Sequence, residues 1–356
     1  MNSIDMIQQL CQSHGPSGYE GPVKELIRTF LQGEAEFSQD NLGSLICRKK
    51  GSADSPRIMI PGHIDEIGFM VNSITEKGFI KFFPLGGWWD QVLLAQKVIV
   101  KTAKGDLVGV IGSVPPHMLS AKEKERVVEK KAMFIDIGAR SKDEALEMGV
   151  QLGDPIVPDT SFHALGQKGM YMGKALDNRL GCTAFIEVIK ALQDEDHPNT
   201  VYGVGTVQEE VGLRGATTAS NLVQPDICFV VDVTIATDTP GLEKESSEVK
   251  LGQGPVLTLA DASLIGNLTL RNLVISTAKE QDIPLQFNTL MGGGTDGGSV
   301  HKYGPGVPTV VLSFPTRYIH SHYGIFNLED YQNTVKLLVA LCRKIDQATA
   351  QAIKKG

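Results

Sequence analysis

A short apolar run, VYGVGTV at 201–207, passes directly into the loop QEEVGLRG, and this stretch constrains the chain more than any other. Its valines and glycines predict a buried strand, and the strand delivers two adjacent carboxylates, Glu209 and Glu210, into the loop. In α/β proteins a strand exit is held by the sheet yet open to solvent, so chemistry collects there. Neighbours in extended chain point to opposite sides, which suits the two glutamates to different tasks, one on a metal ion and one facing a water. Taken alone, a Glu-Glu pair is more often a solvated acidic turn. The rest of the chain decides between the two.

The 356 residues are enough for two domains. A net charge of -7 gives no basic field for nucleic acid or an anionic membrane. The 5 cysteines lack CxxC spacing and lie in apolar surroundings, the pattern of reduced, buried thiols. No apolar run resembles a signal peptide or reaches the roughly 18 residues of a membrane span. The expectation is a cytoplasmic enzyme.

Along the chain, helices are expected over 3–13, capped by Ser3, and 20–32, then strands over 45–49 and 57–61. The second strand leads into Gly62-His63-Ile64-Asp65. A His and an Asp two apart share one side of extended chain, so Asp65 can orient a metal-binding His63, although such a motif alone more often marks a histidine satisfied beside the sheet. From 71 to 164 the texture becomes short β-like runs between turn signals, with a hairpin over 93–114 and a charged, solvated or mobile segment at 122–131. Residues 71–164 therefore read as an inserted, mainly β domain, and 1–70 with 165–356 as a discontinuous α/β domain. In the second block Asp177 precedes a helix over 179–193, as ligand or as helix cap. A strand at 227–231 ends in Asp232, and one at 307–313 leads to His320. MGGGTDGGSV, 291–300, is a glycine turn without the lysine of a phosphate loop; there Gly293, Gly294, Thr295 and Asp296 are candidates for holding a substrate's main chain. A last helix is expected over 327–348.

His63, Asp177, Glu210, Asp232 and His320 together supply two imidazoles and three carboxylates, an inventory for two divalent ions with one carboxylate shared. Two ions about 3.5–4 Å apart polarise a carbonyl and activate a water, and a free carboxylate such as Glu209 then moves the proton. The motifs GHIDEIG, KALDNRLGC, VQEEVGLRGA, DVTIATDTPG, GGGTDGG and RYIHS, in that order, resemble the glutamyl and deblocking aminopeptidases, dinuclear metallopeptidases some of which were once labelled endoglucanases. Within that family the chain is similar to aminopeptidases encoded beside sugar-transport genes in enteric bacteria. The resemblance implies a three-layer α/β sandwich with a mixed central sheet and an inserted barrel-like domain. It implies Asp177 bridging two ions, His63 and Asp232 completing one shell, Glu210 and His320 the other, Glu209 as general base and Asp65 holding His63. It also implies a cis peptide bond after Asp177, zinc as the first expectation with cobalt or manganese as alternatives, peptide substrates, and a homo-oligomer of the tetrahedral dodecamer kind, with the insert serving assembly and access.

The chain departs from the family pattern at His320-Ser321-His322-Tyr323-Gly324, where a proline or small residue and then an acidic one are usual. His322 is expected either to line the substrate pocket, to compete as a ligand, or to lie at the surface. Hydrolysis of N-blocked peptides on the same site, and a catalytically silent binding relative, are the competing functions. A glycosidase is disfavoured, because adjacent Glu209 and Glu210 cannot flank a sugar and histidine ligands have no place in that chemistry.

Overall fold

The computed structural model describes residues 1–193, 196–242 and 248–356. The apolar strand patterns of the sequence become four neighbouring parallel strands. From one side to the other these are Thr200–Thr206, Arg57–His63, Ile227–Ile235 and Thr309–Arg317. Leu45–Lys50 and Glu36–Gln39 extend the sheet antiparallel on one flank; Gly324–Asn327, Met170–Gly173 and His163–Ala164 do so on the other. A branch of Val256–Asp261 and Gln286–Leu290 also pairs onto Thr309–Arg317, giving 11 strands in one mixed sheet.

Both faces of the central strands are apolar, as parallel strands covered on two sides must be. Ile58 and Ile60 face one core, shared with Ser3–Gln12, Gly21–Phe30, Leu176–Ala191 and Leu328–Lys344. Met59, between them, faces the other, with Ala216 and Ala219 of Arg214–Val223 and Val300 of Gly297–Val300. The result is the expected three-layer arrangement with a mixed sheet. Between His63 and Asp177 the chain forms a closed barrel of Gly68–Ile74, Ile80–Leu85, Phe134–Asp136, Gly105–Gly112, Lys97–Thr102 and Pro155–Pro158, each paired antiparallel to the next around the ring. Phe69, Val71, Val98, Val100, Ile111, Ile135 and Ile156 fill it.

Several local expectations change. Asn2, not Ser3, caps the first helix, accepting from the Asp5 amide. The last helix is two: Leu328–Lys344 stops at an extended Ile345, and Asp346 caps Gln347–Lys355 by accepting from the Thr349 amide. Val256–Asp261, for which no element was expected, is a strand. The charged 122–131 segment is not merely solvated, because Lys130 reaches back to Asp90 and to the Trp88 carbonyl. All five cysteines are free and buried. No described helix is long and apolar enough to cross a membrane.

Candidate metal centre

The parallel strands end together, and their exits assemble the candidate ligands. His63 and Thr206 are direct neighbours in register, so the Glu209-Glu210 loop leaves the sheet beside His63. Asp232 stands on the next strand, opposite Ser313; the pairing ends three pairs further on, and the neighbouring strand runs on toward His320. Asp177 does not cap its helix: the cap is Ala175, without a side-chain hydrogen bond, and the chain is non-helical at Asp177 and Asn178, joined by a cis peptide. Ala175, Gln208 and His320 all have left-handed backbone, with φ of 54°, 56° and 57°. Such conformations cost non-glycine residues energy and persist where the surroundings over-determine them, as functional sites do.

The two oxygens of Asp177 face opposite ways. Oδ1 lies 2.9 Å from His63 Nε2, and Oδ2 lies 3.5 Å from His320 Nε2. On the first side Asp232 Oδ1 is 3.8 Å and Glu209 Oε2 3.9 Å from His63 Nε2. On the second, Glu210 Oε2 is 3.5 Å from His320 Nε2. Ligand atoms of His63, Asp177 and Glu210, and separately of His63, Glu209 and Asp232, lie within 4.8 Å of one another. His63 Nδ1 faces the Asp65 carbonyl at 3.1 Å, and His320 Nδ1–H donates to the Gly87 carbonyl at 2.8 Å, leaving each Nε2 toward the carboxylates.

The electrostatics of the cluster call for positive charge. Burial, with Asp232 and Glu210 adding like charge, pushes Glu209 well above the usual carboxylate range; Asp232 is raised likewise by burial. Glu210 is pushed up to about 8 by burial and then by Asp177. Burial disfavours charge on His63 and His320, yet their acidic neighbours outweigh it: His63 rises well above the ordinary value and His320 to about 10. Asp177 is held low because the two imidazoles outweigh its burial. Glu210 Oε1 is buried with no protein donor. A nitrogen-and-oxygen donor set, crowded with carboxylates and with one bare buried oxygen, fits divalent ions of the zinc class.

Beside the cluster opens a cleft of about 560 Å³, bordered by Leu213, Val233, Ile235, Leu290, Ile319 and the backbone of 292–295. Gly293, Gly294 and Thr295 line it. Asp296 lies beneath, buried and accepting from the Thr206 hydroxyl, because the chain turns into Gly297–Val300 there. His322 is buried and belongs to neither ligand group; it packs against Trp88 with ring centroids 5.2 Å apart. The turn that presents His320 tucks His322 behind it, so it is not a surface histidine.

One expected residue does more than the sequence suggested, and two contributors were not legible as site residues. The Asp65 carboxylate accepts from the Glu209 amide (3.0 Å), the Glu210 amide (3.2 Å) and the Ser17 hydroxyl (2.7 Å), so it holds both glutamates as well as facing His63. Glu66 is buried with Lys174, whose Nζ donates to both its oxygens at 2.7 and 2.6 Å, and with Arg179 at 3.6 Å. That one carboxylate ties down both flanks of Asp177. Gly87 acts through its backbone alone, and the Gly86-Gly87 pair was its sole sequence trace.

The family model described as M42 glutamyl aminopeptidase matches residues 43–337. The structure is similar to the crystal structure of the TET aminopeptidase from Thaumarchaeota archaeon SCGC AB-539-E09, with a TM-score of 0.96 and 45% identity over 99% of both chains. It is also similar to the TET1 peptidase of Pyrococcus horikoshii, which can assemble into a tetrahedron or a large octahedral shell. There the TM-score is 0.87 and identity 35%, covering 97% of this chain and 100% of that one. The lysyl aminopeptidase of Pyrococcus furiosus is 35% identical over 345 residues, 96% of this chain and 97% of its own.

Proposed function

This chain belongs to the M42 glutamyl aminopeptidase family of peptide hydrolases, and from that membership we propose a metal-dependent aminopeptidase that releases N-terminal residues using two divalent ions. The observation that carries the proposal is Asp177, whose two oxygens face histidines arriving from separate strand ends. In this reading His63 and Asp232 would hold one ion and Glu210 and His320 the other, with Asp177 shared between them, and zinc is the best fit to the donor set. When bound, the ions polarise the scissile carbonyl and ease deprotonation of the attacking water.

The chain's own groups supply the rest. Glu209 lines the cleft beside His63, with a carboxyl whose burial raises its proton affinity. It takes the water's proton and returns it to the leaving amine. Asp65 fixes Glu209 through its amide, so base and ligand loop move as one. The cleft's aliphatic walls hold a side chain of the substrate and exclude water from it. The insert is assigned to assembly and access, and the chain to a homo-oligomer of the tetrahedral kind, on the strength of its likeness to the Pyrococcus horikoshii shell-forming peptidase.

The test is hydrolysis of aminoacyl amides by metal-stripped and by zinc- or cobalt-reconstituted protein, with Glu209→Gln in parallel. Activity restored by metal, and reduced about 10²–10⁴-fold in Glu209→Gln while metal content holds, is the expected result. Two bound ions with no hydrolysis of any free-amine substrate would instead leave a blocked-substrate hydrolase or a silent relative.

A further inference from the structure

We propose that the inserted barrel sets one half of the metal centre: its Gly86-Gly87 step fixes Glu210 and His320, and Trp88, Asp90 and Lys130 are positioning residues that hold that step. The inference rests on the two-metal reading above.

The two halves of the cluster are held differently. His63 and Asp232 belong to the central sheet, where Asp65 and the Val233 amide satisfy them. His320 lies on a turn beyond the sheet, with its side chain 40% exposed, and needs support from elsewhere. The Gly87 carbonyl supplies it, taking the Nδ1 proton and leaving Nε2 facing Asp177 and Glu210. The approach is close enough to exclude any side chain. A Cβ on Gly87 would stand 2.9 Å from His320 Nδ1 and 3.3 Å from its Cε1. One on Gly86 would stand 3.2 Å from Glu210 Oε2 and 3.3 Å from Glu210 Cβ. Two consecutive glycines of the barrel thus abut the two ligands assigned to the second ion.

The step is itself pinned at two places. Trp88, next in sequence, donates from Nε1 to the Gly68 carbonyl at 3.0 Å and stacks on Phe69, with centroids 4.7 Å apart. Its other contact, His322, is two residues from His320, so one indole touches both the barrel and the ligand turn. Across the barrel, Lys130 donates to the Trp88 carbonyl at 2.7 Å and pairs with Asp90, whose Oδ2 also accepts the Lys130 amide at 3.2 Å. Ligand orientation governs affinity, and losing a group that orients a metal-bound histidine typically weakens binding 10–100-fold.

Metal-stripped protein is titrated with cobalt by calorimetry, with bound metal counted by elemental analysis. Wild type should bind two ions. Gly87→Ala should keep one ion at wild-type affinity and bind the second about 10–100-fold more weakly. Lys130→Met, whose side chain is 29% exposed and touches none of the ligands, should weaken the same ion several-fold, and Trp89→Ala, 61% exposed, neither. In a His320→Ala background, Gly87→Ala and Lys130→Met should add nothing further, which a merely structural role would not produce. Both ions weakened together, neither weakened, or full additivity with His320→Ala would overturn the proposal. A wild type that binds no divalent ion would instead remove the two-metal reading beneath it.

Discussion

Asp65→Asn tests the site's internal wiring with nearly no change of shape. The carboxylate accepts two backbone amides and a hydroxyl, one oxygen facing Glu209 N and the other Glu210 N and Ser17 Oγ. An amide nitrogen placed at either position meets an N–H, so no rotamer of asparagine satisfies both. At least one charge-assisted hydrogen bond, worth about 1.5–3 kcal/mol, is lost, and a backbone amide is left buried. The expected cost is about 2–4 kcal/mol in denaturant unfolding of the metal-free protein. Because the displaced amides belong to Glu209 and Glu210, kcat should fall about 10–100-fold as well, with metal affinity falling in step. Unfolding free energy within about 0.5 kcal/mol of wild type, the range of ordinary surface changes, would refute the wiring.

Three further outcomes follow from the geometry. Burial lowers His322 to about 4 from 6.5, so the unfolded chain takes up a proton over that interval while the folded one does not. Stability should therefore drop as pH falls from 6.5 to 4, by up to about 3 kcal/mol, and urea unfolding of His322→Phe should show that drop removed. Among the described residues the cleft lining holds no lysine or arginine, so leucyl amide should be hydrolysed at least about 10-fold more efficiently than glutamyl amide, read as kcat/KM. Glu66→Gln strands Lys174 and Arg179 as buried cations and should cost about 3–5 kcal/mol, while adding Lys174→Met should recover part of it; equal stability of the single and double variants would contradict the pairing.

The candidate site was readable because apolar runs announce buried strands and a carboxylate or histidine just past such a run is placed by the sheet. His63, Glu209, Glu210 and Asp232 follow that rule. Asp177 did not, since a carboxylate before a helix reads equally as a cap; only the left-handed Ala175 and the kink after it turn the side chain toward the histidines. Backbone contributions were invisible: the carbonyl of Gly87 carries no side-chain signal, and glycine pairs usually mean turns. The Glu66, Lys174 and Arg179 triad was missed because Glu66 lies 108 residues before Lys174 and all three look like ordinary charged residues beside motifs. The 122–131 segment misled for the converse reason, because its charge density concealed the one lysine that points inward. Val256–Asp261 gave no strand signal because its run is short and follows Gly252-Gln253-Gly254-Pro255.

The barrel's first and last strands lie side by side, with Phe69 opposite Ile156. That pairing matters before any substrate arrives. His63 and Thr206 must meet across a long stretch of chain to start the parallel pair on which the centre is built. A barrel that has already closed, with a core of its own, brings residues 69 and 156 together and removes roughly 90 residues from that search. With logarithmic scaling of loop closure, the barrier falls by about 0.8 kcal/mol, roughly a fourfold gain in the chance that the two strands find each other. The insertion, late in the logic of the active site, would thus, if closed first, shorten the path to its assembly.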